Sequence, residues 1–351
     1  MATSKKFASS IDVARLAGVS QSQVSRTYQK NGSVSDKTRA KVLAAAAALD
    51  YRPNAIPRIM LTHRSHLVAV VTGGLSNPFN ATALEALTAR LQASGWQPLL
   101  VHVDSGHSID SAIPRFASYR VDAVISALAV LSRDAADELA RIGIPVISFN
   151  TPRSNEWVSS VSSDNVAAGR AVAGLFVSRG ASRCGFISGP VDSPASIERW
   201  TGFRDRLKEL CNSPPLWLDG GAFTYEAGRR AILAAAPDRG LPDAIFAAND
   251  LIALGAMDEL RRHRDCNVPG DVMIAGCDDI PSSSWDSYDL TTMAQDIPAM
   301  VDAAMTMLSA VTASPVEGHS ERVVIPTRLV ERGSTRRFGS FPRERHPPTK
   351  V

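Results

Sequence analysis

Residues 10–26 read SIDVARLAGVSQSQVSR. Two short stretches with helical apolar spacing, 11–17 and about 20–27, are separated by Gly18 and Val19. Ser10 and Ser20 stand where N-caps are wanted, because a short hydroxyl accepts a hydrogen bond from an orphan N–H of the first turn. After a polar connection, YQKNGSV (28–34), Ser35 is placed to cap a third helix, DKTRAKVLAAAAAL (36–49). Val13, Leu16, Val19, Val24, Val42 and Leu49 can then share one small core. The second stretch has more short polar side chains than a buried helix needs.

A helix, a tight glycine turn and a second helix make a helix-turn-helix, whose second helix enters the DNA major groove with its N-terminal residues at the base edges. Here those residues are Ser20, Gln21, Ser22, Gln23, Ser25 and Arg26. Gln pairs with adenine and Arg with guanine in two-point contacts, and Ser serves bases or phosphates. Lys37, Thr38 and Arg39 open the third helix, whose free N–H groups favour a phosphate, so Thr38 and Arg39 are expected to position the duplex. Charge agrees. Residues 1–64 hold five Lys and six Arg against three Asp, a net +8, which leaves −5 for the remainder of a chain of net charge +3. That asymmetry points to a polyanion partner for the N-terminus. A helix pair that binds another protein, or a merely solvated basic face, is the plainer alternative.

The 351 residues suffice for two or three packed units, and no apolar run approaches a membrane span. The first residues, MATSKKFASSIDVA, put no apolar run behind their lysines, so a cytoplasmic protein is expected. The four cysteines, Cys184, Cys211, Cys266 and Cys277, lack CxxC spacing, which argues against a zinc site or disulfide framework. From Leu67 onward LVAVVT, PLLVHV, DAVIS, PVISF, CGFIS, AIFAA and VMIAG recur, each followed by a helix-like stretch. Apolar strands alternating with amphipathic helices predict an α/β fold of parallel sheets covered on both faces. About 260 residues of this pattern predict two doubly wound subdomains with a ligand crevice at the carboxyl ends of their strands.

Several segments then resemble one family. IDVARLAGVSQSQVSR with VSDKTRAKVLAAAAALDYRPN, SNPF (76–79), SSDNVAAGR (162–170), ERWTGF (198–203), AANDLIALGAM (247–257), VPGDVMIAGCDD (268–279) and LTTMAQD (290–296) occur in the order found in the LacI/GalR family of bacterial transcription repressors. The resemblance implies a helix-turn-helix headpiece (1–52), a hinge (53–64) and a periplasmic-binding-protein-like core (65–337), with a tail at 338–351 expected to be disordered. Within the core it implies one subdomain of about 65–161 plus 292–322 and another of about 162–291 plus 323–337. It further implies a homodimer on a near-palindromic double-stranded operator, switched by a carbohydrate-like small-molecule effector, with no cofactor, metal or membrane partner. The tail GSFPRERHPPTKV lacks the apolar heptads a tetramer would use.

In this family the hinge becomes helical on DNA and wedges an apolar side chain into the minor groove. Met60 stands where the family usually has leucine and Pro57 where it has alanine. Proline restricts Ile56, so a shorter hinge helix is expected, with Met60 as the wedge or packed on its dimer mate. For the effector the resemblance implies Phe79, Asn150, Ser193, Arg199, Phe223, Asn249, Asp278 and Gln295, with Asp164 as a partner for Arg199. Asn150 replaces an acid common in sugar-responsive relatives. Phe79 and Phe223 have a plain reading as core, and Asn249 as a helix cap. No catalytic residues are expected: His63 and His66 lack a third ligand, CDD (277–279) has no adjoining base, and no P-loop or GxSxG turn is present. A ligand-binding module without DNA activity is the second reading, and an enzyme acting on a bound sugar the third.

Overall fold

A computed structural model describes residues 8–29, 32–53, 64–103, 112–126, 133–151, 158–235, 240–263, 266–313 and 320–336. The chain divides into two compact units, Met1–Ser65 and His66–Val351.

The first unit holds three helices among its described residues, α1 (Ser10–Ala17), α2 (Gln21–Thr27) and α3 (Asp36–Ala48). Ser9, rather than Ser10, caps α1, in a reciprocal box with Asp12. The first turn therefore begins one residue earlier than the spacing suggests, because Asp12 rather than an apolar residue fixes it. Gly18, at φ 65°, ends α1 in the left-handed conformation that glycine adopts without strain. Val13, Val24, Val42, Ala45 and Ala46 form the buried core, and Val19 and Leu49 pack on its edge. Leu16, expected inside, is 56% exposed.

The second unit contains two six-stranded sheets. The first sheet is built from β1 (Leu67–Thr72), β2 (Gln97–His102), β3 (Ala123–Ser126), β4 (Val146–Phe149), β5 (Val158–Ser163) and β11 (Arg322–Ile325), in the order β11-β5-β4-β3-β1-β2. All its pairings are parallel. The second contains β6 (Cys184–Ile187), β7 (Leu216–Leu218), β8 (Ala244–Ala247), β9 (Met273–Asp278), β10 (Thr291–Ala294) and β12 (Arg328–Val330), ordered β12-β10-β9-β8-β6-β7. Only its edge strand β12 is antiparallel, pairing with β10.

Helices α4 (Pro78–Ala93), α5 (Ile113–Tyr119) and α6 (Arg133–Arg141) connect strands of the first sheet. The second has α7 (Asn165–Ser178), α8 (Pro194–Cys211), α9 (Tyr225–Ala234) and α10 (Asp250–His263). The chain crosses between sheets three times, after β5, after β10 and after β11. After the second crossing α11 (Ile297–Ala313) returns to pack on α4, β4 and β5. These crossings fall at 163–165, 294–297 and 325–328, two to four residues beyond the boundaries expected from sequence. The first two do so because β5 and β10, VSSVSS and TTMA, run on as strands without being apolar. In β5, Ser159, Ser160, Ser162 and Ser163 are all buried. Ser159 Oγ is reached from far along the chain, accepting from the Glu321 N–H at 3.3 Å.

Candidate functional site

In both sheets the strand order reverses beside the first strand of the series, β1 and β6, and a crevice opens at the carboxyl ends of strands next to such a reversal. A cavity of about 280 Å³ lies there, lined by Asn77, Phe79, Asn80, Asn150, Thr151, Pro190, Asp192, Ser193, Pro194, Ala195, Arg199, Phe223, Asn249 and Asp278. Every one of these residues follows or ends a strand. Asn77 and Ser193 are the N-caps of α4 and α8, each with proline at the next position, where its missing N–H costs nothing. The Asn77 side chain accepts from the Phe79 N–H at 3.1 Å. Asn-Pro and Ser-Pro thus start two helices at the crevice, one from each sheet.

Arg199 lies on α8, 3% exposed. Its position depends on Gly169 and Gly202, where α7 and α8 cross: a Cβ at Gly169 would meet the Arg199 carbonyl, and one at Gly202 the Val166 carbonyl. The close crossing brings Arg199 Nε to Asn165 Oδ1, to which it donates at 2.9 Å, while Nη1 donates to the Ala248 carbonyl. Nη2 stands 3.9 Å from Asp278 Oδ1, a loose ion pair with both side chains buried. Asp164, the partner expected for Arg199, instead caps α7 by accepting from the Ala167 N–H at 2.9 Å; its neighbour Asn165 takes the arginine.

Asp278 accepts from Gln295 Nε2 at 2.6 Å and from Asn77 Nδ2 at 3.3 Å. Burial pushes its carboxyl up to about 7, against the opposing pull of Arg199, and the nearby Asp250 carboxylate adds to the rise. Gln295, expected either at the ligand or as a reporter of closure near the crossover, does not line the cavity. It lies behind Asp278, with Oε1 accepting from the Ser163 hydroxyl at 2.6 Å. Asn249 takes the plainer of its expected roles: Oδ1 caps the start of α10, accepting from Ile252 N–H at 3.0 Å, while buried Nδ2 has no hydrogen-bond partner. Phe79 is 4% exposed, belongs to the core and edges the cavity. Phe223 lines it half-buried against Gly189. The sequence reading missed Asn77, Asn80, Thr151 and Asp192. The Asn-Pro cap signal at 77–78 was available for the first; Asn80 follows in the first turn of α4, and Thr151 and Asp192 sit on loops with no periodic pattern.

In the first unit Ser20 caps α2 in a reciprocal box: its hydroxyl accepts from Gln23 N–H at 3.3 Å, and Gln23 Oε1 accepts from Ser20 N–H at 3.0 Å. Gln21, Ser22, Ser25 and Arg26 are exposed. Gln21 Nε2 donates to Ser10 Oγ at 2.9 Å, which steadies it from α1. Thr38 lies at the start of α3, its hydroxyl 2.9 Å from that of Ser35. Arg39 departs from the expected phosphate contact: Nη1 and Nη2 donate to the carbonyls of Thr27 and Gly32. Hinge residues 54–63, with Pro57, Met60 and His63, and the tail from residue 337 on lie outside the described residues.

Residues 11–54 match the family described as bacterial regulatory proteins, lacI family, and residues 173–335 match the periplasmic binding protein-like domain. The HTH-type transcriptional regulator CelR of Thermobifida fusca is 32% identical over 336 residues, covering 92% of this chain and 96% of that protein. The chain belongs to the LacI family. This regulator is also 27% identical to the ribose operon repressor of Bacillus subtilis, over 93% of its own length and 98% of that protein. Among solved structures, a CelR–cellobiose complex superposes with a TM-score of 0.68 at 29% identity, over 93% of this chain and 99% of that one. The lac repressor dimer bound to operator and an anti-inducer gives 0.85 at 24% identity, over 94% and 99%, a likeness of fold. As a LacI-family member the chain is a DNA-binding transcriptional regulator. Among the described residues no helix is long and apolar enough to cross a membrane, and no group of three His, Cys, Asp or Glu is placed to hold a metal ion.

Proposed function

We propose that this LacI-family regulator is a cytoplasmic repressor that acts as a homodimer on a near-palindromic operator and responds to a neutral, sugar-like effector. The observation that carries the effector class is the buried Asn249 Nδ2, unpartnered at a cavity that also presents Arg199 and Asp278. A lone amide donor, a forked cation and a carboxylate acceptor in one small space suit a ligand whose hydroxyls both donate and accept. Phe79 and Phe223 add apolar surface, and Asn77, Asn80 and Asn150 add carboxamides without net charge. The cellobiose complex of CelR supports a carbohydrate, and the two-fold lac repressor–operator assembly supports a dimer reading two half-sites. Ser20, Gln21, Ser22, Gln23, Ser25 and Arg26 meet base edges, Thr38 the backbone, and Met60 the minor groove. A ligand that binds one arrangement of the core better than another shifts operator affinity; one that binds both equally shifts nothing.

The test has two stages. The full chain is used to select duplexes from a random pool at two salt concentrations. A palindrome whose affinity falls with salt is expected, and unselective binding would overturn the operator reading. A panel of neutral mono- and disaccharides, sugar acids and purines is then screened for a thermal shift. Every active sugar is added to the selected duplex, where release marks an inducer and tightening a corepressor. A shift with sugar acids or purines alone would overturn the effector class.

A further inference from the structure

We infer that Arg39 is a positioning residue for base reading, acting through the C-terminus of α2 rather than through a phosphate; this rests on α2 being the helix that meets the bases. The last carbonyls of a helix lack intrahelical donors and carry the negative end of its dipole. Thr27 closes α2, and its carbonyl is the one that Arg39 Nη1 reaches, at 2.8 Å. The second arm, Nη2, reaches the Gly32 carbonyl at 3.3 Å. One planar cation therefore ties the end of α2 to the chain entering α3, across twelve residues of sequence.

The chain is tightly packed beside this partly buried tie. A Cβ on Gly32 would lie 1.8 Å from the Arg26 carbonyl, so the returning chain packs directly on the last turn of α2. At the same turn the Thr27 hydroxyl donates to the Gln23 carbonyl at 2.8 Å, and buried Thr27 and Val24 fix the inner face. The carbonyl of Arg26, an expected base reader, thus lies against Gly32, and Thr27 beside it is held by Arg39. α2 is only seven residues long, too short to hold its own orientation. Its reading face keeps its angle to α3 through a fork that lysine, a single point donor, cannot reproduce.

The measurement uses the full chain as wild type, Arg39→Lys and Arg39→Gln, with two duplexes: the palindrome selected by the wild type and a scrambled sequence of the same length. Affinities are taken over a range of salt, and a far-UV melt is recorded for each variant. Arg39→Lys keeps the charge. It is expected to bind the scrambled duplex as the wild type does while the ratio of specific to non-specific affinity falls about tenfold. The salt slope is expected to stay unchanged in Arg39→Gln, because no phosphate contact is lost. A loss of about one unit of slope in Arg39→Gln, with both duplexes weakened alike, would overturn the proposal in favour of a phosphate contact. So would a lowered melting temperature with an unchanged specificity ratio, since that is a merely structural role. A wild type that preferred neither duplex would overturn it together with the reading it rests on.

Discussion

Asn77 and Asp278 are 201 residues apart and joined by one hydrogen bond, from Asn77 Nδ2 to Asp278 Oδ2 at 3.3 Å. Asn77 follows β1 of the first sheet and Asp278 ends β9 of the second, so the bond spans the crevice. Behind it Gln295 and Ser163 continue the chain of bonds back to the end of β5. Asp278 is therefore where the position of one sheet is felt by the other. Asp278→Asn turns an acceptor-only group into one whose amide faces the amides of Asn77 and Gln295, leaving one donor unpaired. We expect it to weaken the active sugar at least tenfold in calorimetry, with Asn77→Ala causing a smaller loss. Undiminished affinity in Asp278→Asn would show that the ligand does not use this carboxylate.

The same residue predicts a pH dependence of stability. Its carboxyl is pushed up to about 7 by burial, and burial also raises that of Asp250; Arg199, Asn77 and Gln295 oppose the rise at Asp278. Free in an unfolded chain, an aspartate titrates near ~3.9. The folded core thus holds a proton more tightly than the unfolded chain does. Its contribution is full below about pH 4 and is lost as pH rises through about 7. All five tryptophans lie beyond residue 65, so their fluorescence follows the core alone. The tryptophan melting temperature is expected to fall from pH 4.5 to 7.5, and less steeply in Asp278→Asn. An equal slope in both would place the proton elsewhere.

How much of this was open to reading differs by region. The headpiece was legible because caps and apolar spacing act locally: Ser20, Ser35 and the core valines fall where those rules put them. The seven apolar strands were legible for the same reason. β5 was not, because VSSVSS buries hydroxyls whose partners, Gln295 and Glu321, come from more than 130 residues away. The crevice divided in the same manner. Arg199, Asn249 and Asp278 could be named from motifs. That Asn165 rather than Asp164 holds Arg199, and that Gln295 lies one layer back, depends on a helix crossing and a chain of bonds that no local pattern encodes.

Arg199 is the buried cation of the crevice, and its removal should be costly in a way its ion-pair distance does not suggest. At 3.9 Å from Asp278 the pair is loose, but Nε and Nη1 also satisfy Asn165 Oδ1 and the Ala248 carbonyl. Arg199→Met strands those acceptors and leaves the Asp278 carboxyl without the guanidinium. Breaking such a group costs about 3–5 kcal/mol. Urea unfolding followed by tryptophan fluorescence should show the loss, larger at pH 7.5 than at pH 5, where protonation relieves Asp278. A loss that is small and independent of pH would mean that water takes over the arginine's bonds.

Gln21 is a proposed base reader whose side chain is already oriented before DNA arrives. It is exposed, at the first position of α2, and its Nε2 donates to Ser10 Oγ at 2.9 Å. That bond orients the carboxamide plane from α1, reducing the rotamer freedom lost when a two-point contact to adenine forms. Gln21→Ala should cost about 1–3 kcal/mol at one base pair of each half-site and relax selection there, with the salt slope unchanged. Ser10→Ala should weaken the same position by a smaller factor while leaving its base preference intact. Selected-pool sequencing with each variant separates the outcomes. If Gln21→Ala weakens all duplexes evenly, Gln21 contacts the backbone instead. If Ser10→Ala behaves as the wild type, the orientation of Gln21 is set by the base and not by α1.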